Sequence, residues 1–311
     1  MDNRRIGDLD VFPLGLGCMQ LSGRRMIDRR EQAIATIHTA LDAGVSLLDT
    51  ANIYAPDAAR LGHNEELVAE AVSSYTGRRP VIATKGGITR VPGTDGDVWG
   101  RAGTPDALLR AAEASATRLA VPSIDLYFLH RADPTVHFND QIAGLMAVQE
   151  RGLAQRIGLS NVTSPMLLRA LEIAGGPADG GIVAVQNERS PRYRADSDVL
   201  EICTEHGIAY LPWSPLTGAE TFADHANARG VTPQQLTLAW LLGQSPVVIP
   251  IPGSSRPQTV LASVEATRIS MSIREVDELT ALPVRAGVAL PGLRTRAAAL
   301  IPHHDAVVIA S

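Results

Sequence analysis

Eight short β-rich runs alternate with eight longer helical patterns from one end of this 311-residue chain to the other. That alternation constrains the fold more than any single residue does. Each passage from strand through helix to strand calls for parallel strands covered by helices. The predicted strands are 13–17, 46–49, 81–84, 124–129, 156–159, 182–186, 209–211 and 247–250. The predicted helices are 29–43, 64–73, 105–119, 140–151, 165–174, 198–205, 233–244 and 273–281. In the first helix Ile34, Ile37, Ala40 and Leu41 share one face. Thr104, Ser164 and Thr232 each precede a proline, which pairs a capping hydroxyl with proline at the first helical position. Thr232 with Gln235, and Ser272 with Glu275, have capping-box spacing. Gly44, Gly152, Gly175 and Gly207 stand where helices should stop.

Eight such units close most simply into an α/β fold, a single (β/α)8 TIM barrel. A doubly wound sheet competes, but its phosphate fingerprint is missing, since Gly15-Leu16-Gly17 lacks the third glycine. No linker or composition shift divides the chain, so residues 1–311 read as one barrel domain. Residues 86–103, rich in glycine and holding Trp99, read as a long loop after the third strand. Residues 283–311, rich in Ala, Arg and Pro, read as a C-terminal tail.

A net charge of −5 argues against a nucleic-acid partner. No apolar run reaches membrane-spanning length, so no membrane partner is expected. The segment from Met1 to Arg5 lacks the apolar core of a signal peptide. Cys18 and Cys203 are too few for a disulfide framework and suit free thiols in a reducing cytoplasm. His303-His304 has no further ligands at metal spacing, and no metal site is expected.

Lysine occurs once, at Lys85, against twenty-seven arginines. A cation that merely solvates a surface can be arginine, whereas only lysine offers a compact ammonium whose pKa its surroundings can move, the alternative being chance retention. Lys85 ends a β-branched run just before Gly86-Gly87, at the carboxyl tip of the third strand. In barrels the carboxyl ends of the strands meet at one rim, which is where chemistry sits. Asp49 ends the second strand with Tyr54 just beyond, and His130 follows the fourth. A tyrosine, with an ordinary pKa of about 10, beside an ammonium is expected to be drawn towards ionisation. A carboxylate would hold that ammonium, and a histidine would hydrogen-bond a substrate oxygen. Together the four describe a proton-delivery device.

At this point the chain resembles the aldo-keto reductase superfamily along nearly its whole length. The resemblance rests on Leu48-Asp-Thr-Ala-Asn-Ile-Tyr54, Ile82-Ala-Thr-Lys85, Asp125-Leu-Tyr-Phe-Leu-His130, Ile157-Gly-Leu-Ser-Asn161, Val185-Gln-Asn187, Trp213-Ser-Pro-Leu216 and Ile249-Pro-Ile-Pro-Gly253, in order and at compatible separations. It implies NADPH-dependent reduction of an aldehyde or ketone. Hydride would come from the nicotinamide C4 and the proton from Tyr54, with Lys85 and Asp49 tuning Tyr54 and His130 orienting the carbonyl. It implies that Ser160, Asn161 and Gln186 contact the nicotinamide carboxamide, the alternative being capping and turn duty. Trp213 would stack on the ring, the alternative being ordinary core. Ser214, Pro215, Leu216 and Gly218 would cover the pyrophosphate, and Gly17 and Cys18 would approach the cofactor.

At the adenosine end Pro252, Gly253, Ser254, Ser255, Arg256 and Thr259 match the family's binding segment. The best-known members carry lysine where Gly253 stands and arginine where Thr259 stands, so Arg256 is the cation left to meet a 2′-phosphate, the alternative being a solvated residue at a helix start. NADPH is the expected cofactor, with NADH use open. Met19, Tyr54, Trp99, His130 and Arg131 are the expected substrate contacts. The alternative for Trp99 is a plug that holds its loop down, and the alternative for Arg131 is pairing with Asp133 at the rim. Pyridoxal-reductase-like enzymes and sugar-ketone reductases of secondary metabolism are both similar. The second class of reading is a non-catalytic or weakly catalytic NADP(H)-binding regulatory subunit. A monomer is the family default.

Overall fold

The computed structural model describes residues 2–283. The tail beyond residue 283, and with it His303-His304, lies outside the described residues. Two short antiparallel strands, β1 (Arg4–Ile6) and β2 (Leu9–Val11), come first. The parallel strands of the main sheet begin with β3 (Leu16–Gly17), β4 (Leu47–Asp49) and β5 (Val81–Gly86). A second antiparallel pair, β6 (Ile88–Val91) and β7 (Val98–Arg101), follows β5. The sheet continues through β8 (Leu126–Leu129), β9 (Ile157–Ser160), β10 (Ile182–Gln186) and β11 (Ala209–Tyr210). Its order is β11-β10-β9-β8-β5-β4-β3, parallel throughout.

The eighth barrel strand is present as hydrogen bonding rather than as a regular ladder. Tyr210 N donates to Val247 O and Ile249 N to Tyr210 O, each at 2.8 Å. On the other side Gly15 N donates to Pro250 O at 2.9 Å and Gly17 N to Pro252 O at 3.1 Å. Residues 247–253 therefore bridge the first and seventh barrel strands and close the (β/α)8 barrel. Pro250 and Pro252 carry no N–H, so a continuous ladder cannot form there. At this seam Gly17 faces Gly253, and a Cβ on Gly17 would lie 2.8 Å from the Ile251 carbonyl oxygen.

The helices are α1 (Arg30–Asp42), α2 (His63–Ser73), α3 (Pro105–Leu119), α4 (Phe138–Glu150), α5 (Ser164–Ala174), α6 (Ser197–His206), α7 (Ala223–Ala228), α8 (Pro233–Gln244), α9 (Pro257–Glu265) and α10 (Ile273–Ala281). Local chemistry starts several of them. Thr104 Oγ1 accepts from Ala107 N at 3.3 Å ahead of Pro105. Both capping boxes form, at Thr232/Gln235 and Ser272/Glu275. Ser164 does not cap α5. Thr163 takes that place without a side-chain bond, and the Ser164 hydroxyl turns to Asp198.

Two hairpins were not predicted. Ile6 and Val11 of the first join Leu47, Ala83, Leu126, Phe128 and Ile249 in the barrel interior. Leu47 and Leu126 open their strands, so this hairpin plugs the amino-terminal end of the barrel. The segment predicted as a loop after the third strand is instead built on the β6–β7 hairpin. Its ladder pairs Arg90 with Trp99 and Val91 with Val98. With one end plugged, the carboxyl ends of the strands are left for chemistry.

Candidate active site

Lys85 lies wholly buried in β5, on the strand face that points into the barrel. Its ammonium donates to Asp49 Oδ1 at 2.7 Å, Asp49 Oδ2 at 2.8 Å and the Thr50 carbonyl at 2.7 Å. Three donors thus meet three acceptors. Gln186 Nε2, at the end of β10, donates to the same Asp49 Oδ1 at 2.8 Å. Burial alone would lower the lysine pKa, but Asp49 and Tyr54 more than offset it and hold the value above the ordinary one. The ammonium is therefore charged throughout the neutral range.

Tyr54 stands over this cation, its ring centroid 5.2 Å from Lys85 Nζ. The His130 ring meets the Tyr54 ring edge-on at 6.0 Å between centroids. Burial raises the Tyr54 pKa, Lys85 pulls it down, and burial wins. The sequence expectation of a tyrosine drawn towards ionisation is corrected in this respect. The lysine's pull is real, yet loss of water outweighs it, and Tyr54 keeps its proton at neutral pH. His130 is anchored through its backbone N–H to Gly86 O at 2.8 Å. Its pKa is pushed well below the usual value by burial, with Lys85, Arg131 and Arg101 adding to the effect. The imidazole is neutral, and its Nδ1 is buried without a partner among the described residues.

Next to these groups the ends of β9 and β10 lie in register, Ser160 opposite Gln186. Ser160 Oγ donates to Gln186 O at 2.8 Å, and Asn161 Nδ2 donates to His130 O and Ser160 Oγ at 3.0 and 2.9 Å. Asn161 and Ser214 hold left-handed backbone at φ 59° and 48°. Such conformations in non-glycine residues cluster at functional sites. Trp213 Nε1 is buried and unpartnered among the described residues. Across the barrel seam Ser254 Oγ accepts from Arg256 N at 3.2 Å and donates to Arg256 O at 2.9 Å. Gln32 of α1 holds the Ser255 carbonyl at 2.7 Å. Arg256 is exposed at the start of α9.

The aldo/keto reductase family model matches residues 13–219 and 216–283. The chain belongs to the aldo/keto reductase family. It is 33% identical over 277 residues to an uncharacterized oxidoreductase of Schizosaccharomyces pombe, covering 86% of this chain and 85% of that one. It is 32% identical over 281 residues to pyridoxine 4-dehydrogenase of Escherichia coli, covering 86% and 93%. Among solved structures, an aldo-keto reductase from Klebsiella pneumoniae in complex with NADPH superposes with a TM-score of 0.72 at 26% identity, covering 89% of this chain and 93% of that one.

In this reductase the expected substrate residues are distributed around the same rim. Met19 is half exposed on the short helical turn that follows Cys18. Trp99 packs on the apolar cluster of Ala51, Ile53 and Ile88, as Tyr54 does. Asp133 is taken up by Gly103 N at 3.0 Å and by Thr135 N and Oγ1 at 2.9 and 2.7 Å, so it shapes its own loop. Arg131 lines a cavity of about 220 Å³ with Asn161, Asn187, Glu188, Tyr193 and Trp213. The Glu188 carboxyl there is raised by burial, with Arg131 opposing the rise.

Sequence reasoning missed three groups. The Thr50 carbonyl is the third acceptor of Lys85. Asn64 is fully buried, accepts from Thr50 Oγ1 at 2.6 Å and donates to Cys18 O at 2.8 Å. Arg90 reaches the Tyr54 segment from the hairpin. Asn64-Glu65 at the start of α2 was the available signal for the second, since an amide and a carboxylate on a helix face turned inward need buried partners. The other two depend on backbone positions and leave no mark in the sequence.

Proposed function

We propose that this aldo-keto reductase reduces an aldehyde or ketone to an alcohol with NADPH, its single barrel domain using Tyr54 as proton donor. As a member of its family the chain is an oxidoreductase that uses a nicotinamide cofactor. The observation that carries the proposal is a tyrosine ring set 5.2 Å from a buried ammonium whose three donors are all taken up. The nicotinamide, when bound, supplies the hydride. Tyr54 passes its phenolic proton to the carbonyl oxygen and becomes a phenolate. Lys85 stabilises that phenolate, and Asp49, which holds both oxygens on Nζ, keeps the ammonium in place. Neutral His130 donates a hydrogen bond to the same carbonyl oxygen and does not compete as an acid.

The side chains at the rim suit a nicotinamide carboxamide, a group that both donates and accepts. The Ser160 hydroxyl and the Asn161 and Gln186 amides offer both kinds of partner side by side. Trp213 presents a half-buried ring beside them. Gly17, Cys18, Ser214, Pro215, Leu216 and Gly218 would shape the channel. Pro252, Gly253, Ser254, Ser255 and Thr259 would line the adenosine end, with the α9 N-terminus and Arg256 meeting a 2′-phosphate. Similarity to a protein named pyridoxine 4-dehydrogenase makes pyridoxal the first carbonyl to test.

Tryptophan fluorescence titrated with NADPH and with NADH tests the cofactor half of the proposal. NADPH should quench at micromolar concentration and NADH much more weakly. Arg256→Ala should weaken NADPH and leave NADH unchanged. Equal affinities in the wild type would remove the phosphate role from Arg256, and failure of both cofactors to bind would remove the reductase reading.

A further inference from the structure

Tyr54 is carried by residues 50–57, a stretch that leaves β4 with no regular structure of its own. Such a segment needs outside partners for its carbonyls. Gly62 N donates to Asn52 O at 3.1 Å and Asn64 N to Tyr54 O at 3.2 Å, and Arg90 of β6 supplies the partners for Ile53, Ala55 and Pro56. Its Nη1 donates to Ala55 O at 2.8 Å and Ile53 O at 3.4 Å, and its Nη2 to Pro56 O at 3.2 Å. These carbonyls flank Tyr54 on both sides. Its Nε donates to Asp97 Oδ2 at 2.7 Å, and Nη2 stands 2.6 Å from the same oxygen in an ion pair. Asp97 Oδ2 also accepts from Ala58 N at 3.1 Å, which carries the clamp one step further along the segment. One guanidinium face lies 4.9 Å over the Trp99 ring. Trp99 in turn packs on the apolar cluster of Ala51, Ile53 and Ile88, the cluster on which Tyr54 also packs.

We propose that Arg90 is a positioning residue for the proton donor: through Asp97 and Trp99 the β6–β7 hairpin clamps the backbone on both sides of Tyr54 and fixes its hydroxyl over Lys85. The inference rests on the reading of Tyr54 as the acid. Arginine suits the place because its guanidinium makes four hydrogen bonds, to Asp97, Ile53, Ala55 and Pro56, and pairs its charge with Asp97. Lysine has three donors around a point and lacks the flat face that stacks on Trp99. The Arg90 side chain is only 10% exposed, which keeps water from replacing those bonds.

The test uses Arg90→Lys and Arg90→Met in the full chain. Hydrogen exchange read by mass spectrometry reports the clamp without any reference to activity. Steady-state reduction of pyridoxal by NADPH, with its solvent isotope effect, reports the proton transfer. Both variants should exchange faster over residues 52–58 and unchanged over β8 and β9. Because a misplacement near 1 Å can cost up to a hundredfold, kcat should fall roughly ten- to hundredfold. NADPH affinity should stay within about twofold, and the solvent isotope effect should grow as proton transfer becomes limiting. Unchanged exchange over residues 52–58 overturns the clamp whatever the activity. Faster exchange with an unchanged kcat and isotope effect overturns its role in catalysis. A loss of NADPH affinity and thermal stability in proportion to kcat overturns it as well, because Arg90 is then part of the general framework. A wild-type protein that binds NADPH but reduces no carbonyl would fail the reductase reading, while the exchange result would still judge the clamp.

Discussion

Replacing Lys85 by methionine removes a charge but little volume, which makes it a sharp probe of the buried pair. In Lys85→Met the Asp49 carboxylate, 3% exposed, keeps only the Gln186 amide among its side-chain donors. Breaking a buried pair from one side costs about 3–5 kcal/mol, because an uncompensated charge remains. At roughly 2–4 °C per kcal/mol for a large domain, the thermal transition should fall on the order of 10 °C. The double variant Lys85→Met/Asp49→Asn removes the stranded charge while keeping an amide oxygen for Gln186. What stays unmet is the Thr50 carbonyl, worth roughly 1–3 kcal/mol. The double variant should therefore regain most of the lost stability. It should not regain turnover, since no ammonium remains beside Tyr54. Thermal unfolding followed by circular dichroism, with NADPH oxidation measured on the same samples, reads both quantities. If activity returned along with stability, Lys85 would be a structural residue, and the chemical reasoning would be refuted. If the double variant were as unstable as the single one, the stranded charge would not be the cause.

Two further predictions follow from groups around the barrel. The His130 pKa is depressed in the fold, whereas the unfolded chain takes up a proton near the ordinary value of about 6.5. Stability from this source is full above that pH and is lost as pH falls towards the folded value. His130→Gln should flatten the acid limb of stability between pH values of about 7 and 5, as read by denaturant unfolding, and an unchanged limb would place the effect elsewhere. Gly17→Ala would press a methyl against the Ile251 carbonyl at the barrel seam. It should cost about 1–3 kcal/mol, visible as a lower denaturation midpoint, and an unmoved midpoint would show that the seam yields.

Most of the barrel was legible because its strands are buried runs with clear helical partners. The eighth strand shows where that reasoning loses resolution. Val247, Val248 and Ile249 announce a strand, while Pro250 and Pro252 limit it to scattered hydrogen bonds. Both hairpins had signals in plain view: Gly7-Asp8 between short alternating runs, and Pro92-Gly93 with Asp95-Gly96 between Val91 and Val98. Each pattern is short enough to pass for a loop, and what makes the strands form is packing on the barrel interior or on Tyr54. At the site, residue identities at strand ends were sufficient to gather Asp49, Lys85 and His130. The sign of the Tyr54 shift was not, because it depends on how much water reaches the phenol. Arg90 was invisible for a similar reason, being one of twenty-seven arginines until the fold brings it against the carbonyls of Ile53, Ala55 and Pro56.

The most direct test of the central claim is turnover of Tyr54→Phe. The substitution removes one hydroxyl and leaves Lys85, Asp49 and the cofactor contacts in place. General acid catalysis is worth roughly two to four orders of magnitude. NADPH-dependent reduction of pyridoxal or another aldehyde accepted by the wild type should fall by that factor, with NADPH still quenching tryptophan fluorescence at wild-type concentration. Reduction at the wild-type rate would show that the proton comes from elsewhere and would contradict the account.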